Sequence, residues 1–154
     1  MVLDLNIFIL YLYSGQKNVT NVIIMKYKDF IFMERYTFQH KMAFLRVEHQ
    51  LLGHNTIRGY LHDADKLLYL YPIAYIFVKD KKWVQQKHRA HNRHHVENKL
   101  SKTYNDYVEM VIDWECARYT KPDKQLSAYE TMKKFYPFME PHLLPIMKKF
   151  GLVR

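Results

Sequence analysis

Apolar positions along the chain fall into two regimes. Residues 1–30 carry apolar, β-branched runs such as "NVIIM" and "DFIFM" without helical spacing, and "SGQKN" has the composition of a turn. The pattern there predicts a short non-helical N-terminal segment, at most a hairpin. The alternative is a natural start at Met25 or Met33, since nothing upstream is needed for the chemistry described below. From about residue 34 the spacing turns helical: Tyr36, His40, Phe44, Val47 and Leu51 recur at steps of four, four, three and four. That is one helical stripe, and Gly53 is placed to end it. Further helices are predicted over about 55–71, ending before Pro72; over 73–98, with a break near "VKDKK"; and over 104–119, ending before Pro122. "SAYE", Ser127 to Glu130, has the form of a capping box and opens a helix to about Tyr136. Pro141 and Gly151 bracket a last one. Five or six helices with short connections predict an all-α bundle, with an apolar segment at 1–30 and one helical domain over 31–154.

Composition supports this picture. A chain of 154 residues is long enough for one domain with a real core. With 4 Gly and 5 Pro, a sandwich of short strands and tight turns is disfavoured. The formal charge of +9 favours polyanionic partners such as nucleotides, nucleic acid or an anionic surface. Cys116 is the only cysteine, which excludes an intrachain disulfide and a thiolate zinc cluster. A reducing, cytoplasmic setting is the expectation. The run "VLDLNIFILYLY" falls short of the ~20 residues a membrane span requires and lacks the basic leader of a signal peptide. Without secretion, "NVT" at Asn18 is not expected to be glycosylated.

The candidate chemistry is concentrated in histidines and acids. His40 sits within the apolar stripe of the first core helix, so it points inward, where an imidazole needs a hydrogen-bond partner or a ligand. In "LHDADKL", His62 and Asp63 are adjacent, and Lys66 follows one turn later, placed to reach a phosphoryl oxygen. In "HRAHNRHH", His88, His91 and His95 share one stripe of a continuous helix, with His94 displaced from it. Imidazoles one turn apart commonly share a metal, yet Lys87, Arg89 and Arg93 interleave with them, as on a solvated or nucleic-acid-facing surface. Asp106, Glu109 and Asp113 form an acidic stripe on the fourth predicted helix. Such carboxylates balance a cation and raise the basicity of neighbouring imidazoles, which casts Glu109 as a supporting residue.

The order His40 … His62-Asp63 … Asp113 resembles the HD superfamily of metal-dependent phosphohydrolases, whose signature is H…HD…D. "HDADK" matches the HD-x-x-K form of the central motif, and the additional histidines resemble those of binuclear members, although the GYP element of the HD-GYP phosphodiesterases is absent. "HK" at 40–41, "HDADKL", "HRAHNRHH" and "EMVIDW" at 109–114 are similar to a small HD-like family of phages and bacteria, over about residues 36–150. The resemblance implies an HD-like helical fold in which His40, His62, Asp63 and Asp113 hold one divalent metal. It further implies that His88, with His94 or His95, holds a second metal or the substrate phosphate. Helical spacing instead favours His91 and His95 as the partners of His88, and both assignments stand at this point.

The function implied is hydrolysis of a nucleotide or other small phosphate ester through a metal-activated water, with Asp63 and Lys66 as the catalytic residues. A nitrogen–oxygen ligand set suits Mn, Fe, Co, Ni, Zn or Mg. Two rivals keep different features. A non-catalytic metal- or nucleotide-binding module would use the same ligands without turnover. A nucleic-acid-binding protein would use the basic run "KDKKWVQQKHRAHNRHH", but leaves His40, His62 and Asp113 unexplained.

Overall fold

The computed structural model describes residues 17–78, 80–121, 123 and 125–153. Helix α1 (Lys17–Leu52) runs unbroken across residue 30. The hairpin expected in residues 1–30 is therefore corrected over 17–30, which are helical; residues 1–16 lie outside the described part, as do Pro122 and Lys79 of "VKDKK". β-Branched runs read as strands in isolation, but tertiary packing overrides that preference. Phe30 and Met33 of this stretch pack against Leu70, Tyr71, Ala74 and Val84. Of the predicted stripe on α1, His40, Phe44 and Val47 are buried and Tyr36 and Leu51 half-buried, while Thr37 and Glu48 beside it are buried as well. Gly53 ends the helix at φ 79°, and its amide donates to His49 O at 2.9 Å; a left-handed residue there suits glycine.

Helix α2 (Ile57–Leu61) is capped by Thr56, whose hydroxyl accepts from the Gly59 amide. The single helix expected over 55–71 does not form. The chain leaves α2 at His62, and Asp63 is left-handed at φ 59°. Helical geometry resumes as a π turn (Lys66–Leu70), an α turn (Tyr71–Ile73) and a second π turn (Ala74–Val78). Pro72 does not stop this run. The preceding turn is already π-wound, with the Tyr71 amide reaching back to Lys66 O, and proline sits where a helical turn opens afresh.

Helix α3 (Lys81–His91) ends at Asn92, well before the expected residue 98, because Asn92 turns extended at ψ 123°. Residues 92–103 are a tethered loop: Asn98 donates to Ala90 O at 2.7 Å and accepts from the Leu100 amide at 3.0 Å. Helix α4 (Tyr104–Thr120) opens with a Thr103–Asp106 capping box, and α5 (Ala128–Phe135) with the predicted Ser127–Glu130 box. Helix α6 (Glu140–Lys149) follows a 3-10 turn (Pro137–Met139).

The architecture is all-α, as predicted, with no strand among the described residues. Helix α1 packs most extensively on α4, and with α5 and α6 they bury the main core, including Phe44, Met110, Ile112, Met132 and Leu143. A smaller core joins α1 to 66–78 and α3 through Leu70, Tyr71, Ala74 and Val84. No described helix is long and apolar enough to cross a membrane.

Candidate metal centre

Four elements deliver side chains to one point between the two cores. Helix α1 brings His40, the break after α2 brings His62 and Asp63, and α4 brings Glu109 and Asp113. The fourth, the C-terminal end of α3 with its loop, brings His88, His94 and His95. His40 Nε2 lies 2.8 Å from Asp113 Oδ1, and His62 Nε2 lies 3.5 Å from the same oxygen. His88 Nε2 stands 3.0 Å and His62 Nε2 3.8 Å from Asp63 Oδ1. The left-handed turn at Asp63 is what allows this. On a continuous helix His62 and Asp63 would diverge by about 100°, whereas here both face the same centre.

The other ring nitrogens are tied outward. Nδ1 of His40 faces Thr120 Oγ1 at 3.3 Å, and that of His88 faces Asp65 Oδ2 at 2.8 Å. Those of His62 and His94 share Glu109 Oε1, at 3.3 and 3.0 Å. Asn92 adds a bond from its amide nitrogen to Asp65 Oδ2 at 2.8 Å. Behind them, Phe44 stacks on His62 with ring centroids 3.9 Å apart. Each ring is fixed at its far nitrogen and presents Nε2 inward, the arrangement that supporting carboxylates and hydroxyls give to metal-bound imidazole.

Nε2 of His62, His88, His94 and His95 is buried without a hydrogen bond. Asp63 Oδ1 is buried beside the Lys66 ammonium at 2.9 Å and His88 Nε2 at 3.0 Å, charge contacts not aligned as hydrogen bonds. Buried polar groups are normally paired, so four buried imidazole nitrogens without a hydrogen bond around a carboxylate oxygen fit a divalent cation. Two groups of these side chains each offer ligand atoms within 4.8 Å of one another: His40, His62 and Asp63, and His88, His94 and His95.

Electrostatics support the same fit. Burial alone would lower the pKa of His62, but Asp63, Asp113 and Glu109 outweigh it and lift the imidazolium to about 10. Against the opposing effect of burial, His62 and Lys66 hold Asp63, and His40 and His62 hold Asp113, well below the usual carboxylate range. His95 goes the other way: burial and the neighbouring His94 drive it down to about 2, so its ring is neutral. An electron-rich, acid-lined pocket that holds protons on histidine in this way can hold a divalent cation in their place.

The assignment of the histidine cluster by helical spacing is corrected. His91 is exposed, with Nδ1 facing Lys87 O at 2.7 Å, because α3 ends there and the i, i+3, i+7 stripe never forms. His94 enters from the loop instead and is buried. Lys66 is also buried, and its ammonium lies on Asp63 at 2.9 Å from Oδ1 and 3.0 Å from Oδ2. Asp106 stands apart from the centre, binding Arg58 and Arg93.

Two contributors had gone unassigned. Asp65 anchors His88; the only signal was a second acid two residues after Asp63 in "HDAD". Cys116 lies 3.7 Å from both ring nitrogens of His40. Burial and the nearby Asp113 push its thiol pKa well above the usual value, so it is a protonated neighbour that donates to Asp113 O at 3.1 Å.

A cavity of about 450 Å³ opens onto the centre. His40, Asp63, Lys66, His95 and Asp113 form part of its lining, with Arg89 and Lys121 adding positive charge and Trp114 and Tyr136 an aromatic wall. Comparison of the chain with protein-family models, with curated proteins and with solved structures returns no match.

Proposed function

We propose that the chain is a divalent-metal-dependent phosphohydrolase of HD type, acting on a nucleotide or other small phosphate ester. The observation that carries this reading is the two-sided orientation of the histidines. Nδ1 of His40, His62, His88 and His94 is tied to an outer acceptor, while the Nε2 atoms face Asp63, Asp113 and one another. His40, His62, Asp63 and Asp113 would hold the primary cation, and His88, His94 and His95 a second one or the substrate phosphate. A divalent ion bound there supplies Lewis-acid polarisation of a phosphoryl oxygen and lowers the pKa of a coordinated water.

The chain's own residues supply the rest. The cavity admits a substrate to the centre and sets Lys121 along its approach, with Arg89 beside it paired to Glu97 at 3.0 Å. Lys66, charged and fixed beside Asp63, places an ammonium where negative charge develops on the phosphoryl oxygens. Asp63 orients the attacking water or accepts its proton. The buried walls around His62 and His88 limit competing water.

The deciding experiment measures bound metal in the purified chain, then phosphate release from a nucleotide panel with Mn, Co and Mg. Metal uptake with release of phosphate is the expected result. Metal uptake with nucleotide binding but no turnover would establish a binding module instead, and no metal uptake would end the proposal.

A further inference from the structure

Among the anchored histidines, His40 and His88 each have their own outer acceptor, Thr120 and Asp65. His62 and His94 do not. Both rings place Nδ1 on the single oxygen Oε1 of Glu109, and each also belongs to a group of ligand atoms that the other does not enter, His62 with His40 and Asp63, His94 with His88 and His95. That carboxylate has little freedom to favour one ring over the other. Its Oε2 accepts from Arg58 Nε at 2.9 Å and from Nη2 at 2.7 Å. Arg58 is gripped in turn by Asp106 at 2.5 Å, and Asp106 is tied to Arg93 and to the amide and hydroxyl of Thr103.

We propose that Glu109 is a positioning residue common to both halves of the metal centre, holding His62 for the half built with His40, Asp63 and Asp113, and His94 for the half built with His88 and His95. The inference rests on the metal-centre reading above and deepens it, making one carboxylate outside both ligand sets responsible for the occupancy of each. Glu109 Oε1 faces both Nδ1 atoms, through a hydrogen bond from His62 at 3.3 Å and an ion-pair contact with His94 at 3.0 Å; a proton held on Nδ1 by that charge leaves each ring an Nε2 lone pair directed inward. Its negative charge raises the basicity of both rings together. Among the four anchored rings Asp65 holds that of His88, its other bonds going to Asn92 and the Lys66 amide, so its loss should weaken the half that His88 builds. A rival arrangement makes Glu109 itself a ligand with His62 and His94, whose atoms also lie within 4.8 Å of one another. It would require the nitrogens that already face Glu109 to turn to a cation while Arg58 occupies the other oxygen.

The test titrates the full-length chain, stripped of metal, with zinc by calorimetry and counts zinc per chain, for the wild type and the Glu109→Gln, Asp65→Asn and Arg58→Ala variants. Circular dichroism checks that each is folded. Two zinc ions are expected in the wild type. Glu109→Gln should weaken both by about 10–100-fold, the usual cost of losing a supporting partner, and Asp65→Asn should weaken only one. Nitrogen-15 imidazole spectra of the zinc-loaded wild type should report His62 and His94 as Nδ1–H tautomers. Both should shift in Glu109→Gln while His88 stays put, a signature that a merely structural role would not produce. If Glu109→Gln does not fold, Arg58→Ala decides, since releasing Oε2 should weaken both sites and unchanged affinities would overturn the proposal. Weakening of one zinc alone by Glu109→Gln overturns the sharing, as does a wild type that takes up a single zinc, and neither result touches the hydrolase reading. A wild type that takes up no zinc overturns both.

Discussion

The backbone of Gly59 lies against the carboxylate of Glu48: a Cβ at position 59 would fall 1.9 Å from Oε2 and 2.6 Å from Cδ. The carboxylate is not free to retreat. It accepts from the Thr56 hydroxyl at 2.6 Å and from the Thr56 amide at 3.2 Å, in the turn that launches α2 towards His62. Gly59→Ala should therefore destabilise the fold by about 1–3 kcal/mol, as overpacking does, despite alanine's better helix propensity. Thermal unfolding checks it. A raised melting temperature would mean that Glu48 yields without cost.

Removal of either member of the central pair should empty the primary site. His62→Ala and Asp63→Ala are each expected to lose most of the metal that the wild type carries, because each removes an atom that faces the centre. Elemental analysis of the purified variants measures this, and full occupancy in both would rule out the assignment.

Lys66→Ala should separate metal binding from turnover. The ammonium sits on Asp63 and competes with any cation for Oδ1, so uptake should be kept or strengthened. Turnover should fall by about 10²–10³-fold, as when a donor to developing charge is removed. Loss of metal together with activity would make Lys66 a structural support of Asp63 instead.

The histidine cluster should divide by burial and not by helical spacing. His91→Ala should leave metal content and phosphate release unchanged, since the ring is exposed and faces its own helix. His88→Ala and His94→Ala should each depress phosphate release while the primary metal remains, because His40, His62, Asp63 and Asp113 are intact. Equal behaviour of all three variants would contradict this division.

Asp106 should make stability depend on pH in the acid range. Burial would raise its pKa, but the Thr103 amide, Arg58 and the Thr103 hydroxyl bring it down from 3.8 to about 2. A carboxyl depressed in the folded state stabilises the fold above its unfolded pKa and loses that contribution as pH falls through the folded value. Asp106→Asn should cost about 1–3 kcal/mol at neutral pH, and the gap to wild type should narrow between pH 4 and about 2. Denaturant titration at both ends of that window measures it; a gap that persists at pH 2 would assign the effect to packing.

Helices with a clean one-sided stripe were legible in the sequence. The His40 stripe on α1, the acidic stripe on α4 and the Ser127–Glu130 box all stand where periodicity and capping chemistry place them. The approach of His40, His62, Asp63 and Asp113 to one another was expected from the resemblance in motif order and not from these patterns. Places where the chain departs from helix were not legible. Aspartate tolerates the left-handed region better than most residues, but nothing in the apolar pattern marks Asp63 as the bend, where its carboxylate meets His88 from a distant helix and Lys66 three residues on. Asn92 likewise ends α3 while its side chain bonds to Asp65. This is why spacing chose His91 where the fold uses His94, and why Asp65 was passed over.

Asp63 holds a φ of 59°, a conformation that costs an L-residue about 1–2 kcal/mol in side-chain–carbonyl crowding and glycine almost nothing. The residue best suited to this bend is therefore not the one that builds the centre. Glycine would relax the turn and remove the carboxylate that His88 and Lys66 contact. Selection for thermostability alone would draw position 63 towards glycine, and selection for ligation would draw it towards aspartate. Natural chains hold stability only as far as function requires, and at this bend the fold gives up part of its margin to keep an acid at its most crowded point.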